Sequence, residues 1–319
     1  MGAAGAAFPF GHWEARLGSY VIRRFFLMLL TLFGISVLVF TMLRVVPGNI
    51  ADILFDSAGM IDTAEKAKLE KELGLDKPIA VQYIASYVSE KPALAEIAPR
   101  IPITAKLAGL ALLFAIAFGV PLGVISAVKQ NSALDYALRV ISLSGLSVPA
   151  FWLGLLILMA FVHFFGTIPI YVNPPVGFLN SLALFSVPAA AVGFRSSALI
   201  MRLTRSSMLE VLRQDYIRTA RAKGASDPNV NYHHALRNAV LPVVTVIGIE
   251  AAFLMGGLIV TETVFNIPGV ARFLVEAIRW RDYPIVQNLV MFIAVVAVVI
   301  NFLVDLLYAV LDPRIKYAG

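Results

Sequence analysis

At 319 residues, with 59% hydrophobic and 14% charged side chains and a net charge of +6, the chain is too apolar for a water-soluble globule. It contains no cysteine, which excludes disulfides, thiolate metal centres and cysteine nucleophiles. The basic excess points to topology in a lipid bilayer and to no nucleic-acid partner, because membrane chains gather Lys and Arg in cytoplasmic loops.

Residues 1–19, rich in Gly and Ala and without periodicity, read as a disordered or interfacial N-terminus. The first membrane helix falls within 20–46, its apolar run extending from Phe25 to Leu43. That run exceeds the roughly 7–15 residues of a cleaved signal peptide, so it reads as a retained signal-anchor. Residues 47–101 form an external segment. Within it, Ile61 to Gly74 has the marks of a short helix: Asp62 can cap, Glu65 follows three residues on, and Gly74 ends it before Pro78.

The core, 102–311, supplies five more spans: Leu107 to Val128, Val140 to Tyr171 (interrupted by Pro149), Phe178 to Met201, Leu241 to Val264 and Tyr283 to Leu311. Each offers the roughly 20 apolar residues needed to cross about 30 Å of hydrocarbon. Six spans put both termini on one side. Arg23, Arg24, Lys129, Arg139, the connection after the fourth span, Arg314 and Lys316 are basic, whereas Asn173 to Gly177 holds no basic residue. Termini and even-numbered connections therefore face the cytoplasm. Residues 312–319 are a cytoplasmic tail.

Catalytic signatures are absent from the sequence. There is no Gly-x-x-x-x-Gly-Lys-Ser/Thr phosphate loop, no Gly-x-Ser-x-Gly elbow and no His-Glu-x-x-His helix. The adjacent His233 and His234 diverge by about 100° on a helix and cannot clamp one ion. No enzyme activity, metal or cofactor is expected. Charges inside spans are more informative, since each costs on the order of 2.5–3.5 kcal/mol at a helix centre. Arg195, Glu250, Glu262 and Asp305 are the candidates. Either they line a polar pathway for a hydrophilic solute, or they pair between helices and snorkel near span ends.

The cytoplasmic loop 204–240 carries the most specific pattern. Met208, Leu212, Tyr216 and Ala220 recur every fourth residue and extend the fourth helix into water with one apolar stripe. Gly224 stops it, and Asp227-Pro228 restarts a helix through Tyr232, Leu236 and Val240. The product is two short helices meeting at a glycine elbow. Such an elbow can seat in a groove of another protein as a lever, or it can be a basic loop held inside by topology.

Asp215-Tyr-Ile-Arg-Thr-Ala-Arg-Ala-Lys-Gly-Ala-Ser-Asp-Pro228 with His234-Ala-Leu-Arg-Asn-Ala-Val-Leu-Pro242 resembles the cytoplasmic loop of binding-protein-dependent ABC importer permeases, in its peptide-permease form. Further segments are similar to the B-type subunit of dipeptide and oligopeptide permeases. They include Leu73 to Tyr83, Gly145-Leu-Ser-Val-Pro-Ala-Phe-Trp152, Arg202 to Glu210, Glu262-Thr-Val-Phe265, Arg281-Asp-Tyr-Pro284 and Asp305 to Arg314. Two departures stand out. Arg218, Thr219 and Ala220 replace the superfamily's Glu-Ala-Ala, and the stretch after Tyr87 lacks a Gly-Asp-Leu-Gly-like motif.

The resemblance implies an all-α, six-span type I importer fold in a bacterial cytoplasmic membrane. It implies a second permease, two ATP-binding cassette subunits and an extracytoplasmic solute-binding protein as partners, with ATP hydrolysed by the cassette subunits. Peptides are the implied cargo, and nickel complexes, glutathione or another small solute the alternative. An ion-coupled carrier is the rival outside this class. On this resemblance Asp215, Tyr216, Arg218, Ala220, Arg221, Ala222 and Lys223 form the docking helix, Gly224 its corner, and His234, Arg237 and Asn238 the brace of the return limb.

Overall fold

A computed structural model describes residues 10–45, 67, 71, 76–88, 91–167, 170–171, 177–280 and 282–311. The helix expected over Ile61 to Gly74 and the tail 312–319 lie outside the described residues, apart from 67 and 71. Among the described residues there is no β-strand.

Twelve α-helices and one π-helical stretch are described. α1 (Phe10–Val45) is followed by α2 (Ile79–Val88) and α3 (Lys91–Ile97), then by α4 (Ile101–Val128). α5 (Ala133–Ser147) and α6 (Ala150–Phe165) lead to the long α7 (Phe178–Leu212) and the short α8 (Asp215–Ala222). A π-helix, Asn229–Leu236, runs directly into α9 (Arg237–Gly257). α10 (Ile259–Val264), α11 (Val270–Arg279) and α12 (Tyr283–Leu311) complete the chain. Because α1 starts at Phe10, the second half of the segment expected to be disordered or interfacial is helical.

Among the described residues five helices are long and apolar enough to cross a membrane: Val21–Val45, Ile101–Val128, Leu179–Leu212, Asn229–Gly257 and Tyr283–Leu307. The candidate for the sixth crossing is the pair α5 and α6, which are long and apolar enough only together and meet at 103°. Proline causes that bend. Val148 is extended (φ −82°, ψ 123°), as the residue before a proline prefers, and Pro149 then caps α6 without an N–H to continue α5. The fourth helix runs on past Met201 to Leu212, as its periodicity requires. The fifth ends at Gly257, seven residues before the expected Val264, and α10 is a separate turn of helix.

α4 lies along α7 in the most extensive helix pairing of the fold. Small residues make it possible: a Cβ on Gly123 would sit 2.6 Å from Thr204 Cβ, and one on Gly193 would sit 2.7 Å from the Ala111 carbonyl oxygen. In a bilayer, where lipid is as apolar as leucine, such close backbone approach is what holds helices together. Around this pair the core divides by depth. Leu107, Ala111, Phe185, Leu254 and Phe265 pack in one cluster, and Val124, Ala127, Met208, Ile217, Val230 and Ala235 in another nearer the cytoplasmic loop. The outer faces of α1 and α6 present Leu30, Met159, Phe164 and Phe165, all more than half exposed, which is a face for lipid or another subunit rather than for water.

Candidate functional site

The cytoplasmic elbow begins where α7 ends. Gln214 is extended (ψ 149°), and this break changes the phase of the expected stripe. Met208 is buried, but Ile217 rather than Tyr216 takes the next core position, with no exposed surface. Tyr216 turns outward, and its hydroxyl accepts a 3.0 Å hydrogen bond from Asn238 Nδ2. The same amide donates to the His234 carbonyl oxygen at 3.0 Å, so Asn238 braces the outgoing limb against the return limb. Ile217, Val230 and Ala235 insert into the cluster with Val124 and Ala127 of α4. Burying a side chain the size of Ile217 contributes about 1.5–3 kcal/mol.

The corner closes on its own backbone. The N–H of Gly224 donates to the Arg221 carbonyl at 2.9 Å, and that of Ala225 to the Ala220 carbonyl at 3.1 Å. This is the paired bonding of a Schellman motif, which needs a left-handed residue at its turn. Gly224 supplies it, with φ +83°. Arg218 and Asp215 pair at 3.2 Å along α8, and Arg221 and Asp227 lie 3.8 Å apart across the corner. All four are well exposed, so each pair contributes at most about 1 kcal/mol. Ala222, Lys223 and Arg237 are exposed, leaving a small, basic tip.

At membrane depth, the bend between α5 and α6 opens a cavity of about 340 Å³. Pro149, Phe151, Arg195, Ser196, Phe253 and Thr261 are among its lining residues. The structure brings Arg195 and Glu250 together here, with Arg195 Nη1 4.0 Å from Glu250 Oε1. Their surroundings differ. Glu250 is 4% exposed and accepts a hydrogen bond from the Ser196 hydroxyl. The Arg195 side chain is 42% exposed and stands 5.4 Å from the centre of the Phe253 ring.

Glu262 occupies a different place. It is fully buried and takes up donors at the start of α11: the Arg272 N–H bonds to Oε2 at 2.8 Å, and the Thr104 hydroxyl to Oε1 at 2.7 Å. Thr104 Oγ1 in turn accepts the Val270 N–H at 2.8 Å. A carboxylate suits a helix N-terminus, whose first N–H groups lack partners within the helix. Gly269 is needed for this fit, since a Cβ there would fall 2.0 Å from Glu262 Oε1. The neighbouring Thr261 faces the membrane cavity, while Gly269, Asn266 and Arg272 line a separate hollow of about 280 Å³. Asp305 pairs with Arg24 at 2.8 Å and joins α12 to α1.

Sequence reasoning missed Asp135 and Arg205. Asp135 has no exposed surface; Arg205 grips it as a fork, with Nε at 2.8 Å and Nη2 at 2.9 Å. The Ser126 hydroxyl and the Asn131 N–H add two hydrogen bonds and Arg139 Nε stands 3.7 Å from Oδ1, so the ends of α4 and α5 are tied to α7. The available signal was local: Ser132 sits three residues before Asp135 and caps α5 by accepting its N–H at 3.2 Å. The partner, 70 residues away, carried no such cue. Among the described residues no group of three His, Asp or Glu side chains can hold a metal ion.

Comparison with known proteins places these features in context. Residues 119–317 match the family described as binding-protein-dependent transport system inner membrane component, and residues 17–90 match the N-terminal region of such components. The dipeptide transport system permease protein DppB of Alkalihalophilus pseudofirmus is 39% identical over 333 residues, covering 94% of this chain and 99% of the relative. The di/tripeptide transport system permease protein DppB of Pseudomonas aeruginosa is 37% identical, covering 94% and 99%. The glutathione transport system permease protein GsiC of Escherichia coli is 39% identical, covering 94% and 99%. Among solved structures, the inward-facing MetNI methionine ABC transporter matches with a TM-score of 0.57 at 16% identity, over 70% of this chain and 99% of that one. That likeness is one of fold.

Proposed function

The chain belongs to the binding-protein-dependent transport system inner membrane components, the multi-pass permeases of ABC importers, and on that premise we propose that it carries di- and oligopeptides across a bacterial cytoplasmic membrane. Its partners in this reading are a second permease, two ATP-binding cassette subunits and an extracytoplasmic solute-binding protein. Peptide cargo is supported by 37–39% identity across nearly the full length of dipeptide and di/tripeptide permeases. The glutathione permease is equally identical over a shorter alignment, 312 residues, and defines the second cargo to test.

The observation that carries the mechanism is the elbow. Its tip is small, exposed and basic, while its inner face, Ile217 and Val230, is sunk in one core with the ends of α4 and α7. A displacement of the tip therefore moves the ends of α4, α7 and α9 together. Closure of the cassette subunits on ATP pushes the tip, α7 and α9 tilt as levers, and the cavity at the bend of α5 and α6 changes the side to which it opens. Hydrolysis resets the assembly. In this reading Arg195 marks the solute route with Glu250 beside it, while Glu262, buried at the start of α11, supports the structure around the route without lining either hollow.

Gly224→Val tests the lever. No atom lies within 4 Å of the position its Cβ would take, so the cost is backbone strain alone, about 1–2 kcal/mol for a left-handed residue. The full importer carrying this variant, reconstituted in vesicles, is expected to insert and assemble normally and to hydrolyse ATP, while dipeptide uptake falls at least tenfold. Parental uptake by the variant, or dipeptide accumulation by the permease without cassette subunits, overturns the reading.

A further inference from the structure

Arg195 lines the cavity and Glu250 stands beside it, outside the lining, so the two charges are not equally available. Glu250 is shielded: it is nearly buried, and its carboxylate already accepts the Ser196 hydroxyl. Arg195 is open. Its guanidinium makes no hydrogen bond among the described residues, and its nearest counter-charge stands at 4.0 Å, beyond bonding reach. Its N–H donors thus border a hollow lined by Pro149, Phe151, Phe253 and Val260 together with the hydroxyl residues Ser147, Ser196 and Thr261. A guanidinium that faces a cavity with no hydrogen-bonded acceptor is a receptor for a planar anion, because a bidentate carboxylate satisfies its fork and its charge together.

We propose that Arg195 reads the C-terminal carboxylate of the peptide during its passage, with Glu250 as the counter-ion that holds the guanidinium when no cargo is present. The assignment rests on the peptide reading above and adds to it an orientation. Among the described residues no carboxylate lines the cavity as a receptor for the ammonium end, so the carboxylate end is held and the amine end points away along the hollow. The 4.0 Å separation makes the exchange cheap: the incoming carboxylate displaces a loose ion pair and breaks no hydrogen bond of Arg195. Phe253, 5.4 Å from the guanidinium, limits its swing.

The test uses the assembled permease pair with its cassette subunits, nucleotide-free and without binding protein, so that retention reports the membrane cavity alone. Radiolabelled alanyl-alanine, its C-terminal amide and its N-acetyl derivative are the probes. The parent complex is expected to retain the acid and the N-acetyl acid at least tenfold more strongly than the amide. Arg195→Gln should bring the ratio of acid to amide to near one, Arg195→Lys should restore part of it, and Glu250→Gln should leave it at or above the parental value. Equal retention of acid and amide by the parent, no measurable retention of the acid, or a parental ratio in Arg195→Gln overturns the proposal. ATP-driven uptake by the full importer separates the two levels. If alanyl-alanine is not accumulated at all, the peptide reading fails and takes this inference with it; accumulation with a ratio indifferent to Arg195 removes the inference alone.

Discussion

Asp135, toward the cytoplasmic side, and Glu262, toward the external side, are both carboxylates without exposed surface, and they are satisfied by opposite means. Asp135 meets a full counter-charge in the fork of Arg205. Glu262 meets a hydroxyl and backbone N–H groups at a helix start. The paired site fixes the relative positions of three helices, because a bidentate bond constrains both distance and angle. The capped site organises a local turn, α10 into α11, and attaches it to the first turns of α4. One helix serves both: Thr104 and Ser126 of α4 are the hydroxyl donors, about 33 Å apart at 1.5 Å per residue. α4, against which the elbow packs, is thus pinned near both of its ends.

If this contrast is right, the two sites break differently. Asp135→Ala should have the largest effect, since it strands Arg205 and costs about 3–5 kcal/mol, the usual penalty for breaking a buried pair from one side. The expected readout is a large fall in the melting temperature of the purified complex, and Arg205→Met in the same chain should recover part of it. Absence of any recovery would mean that the pair is not the unit described.

Glu262→Ala should cost less, about 1–3 kcal/mol, because only neutral donors lose their acceptor. Glu262→Gln, which keeps one acceptor oxygen, should fall between Ala and the parent. Local hydrogen exchange should rise at the amides of Val270 to Arg272 while the α4 and α7 amides stay protected. Increased exchange spread equally over α4 and α7 would erase the distinction between a local cap and a global clamp. The smallest effect belongs to Ser132→Ala, about 1 kcal/mol, since it removes only the cap of α5 and leaves the Arg205 fork in place. A loss as large as that of Asp135→Ala would show that the cap, not the ion pair, holds the cytoplasmic site.

What was legible in the sequence followed from local rules. The spans appear as apolar runs, the elbow as Gly224 followed by Asp227-Pro228, and the bend as Pro149 in the middle of a span. The break between α7 and α8 was not legible, because Arg213 and Gln214 contain neither glycine nor proline, and periodicity alone continued the helix through them. Arg195, Glu250 and Glu262 were conspicuous as charges in apolar surroundings, but their environments depended on partners far along the chain. Glu262 finds Thr104 158 positions away, and Glu250 finds Ser196 at a separation of 54. The angle of 103° that creates the cavity is a tertiary result, and the sequence announces only that a bend exists.

The corner at Gly224 has a further consequence. Because the N–H groups of Gly224 and Ala225 are satisfied inside the loop, the knuckle reaches any protein beneath it already shaped, and no chain entropy is lost at each encounter. If the proposed lever is right, a part gripped and released on every turnover loses little binding energy to being ordered each time, and its stiffness passes the push on undiminished.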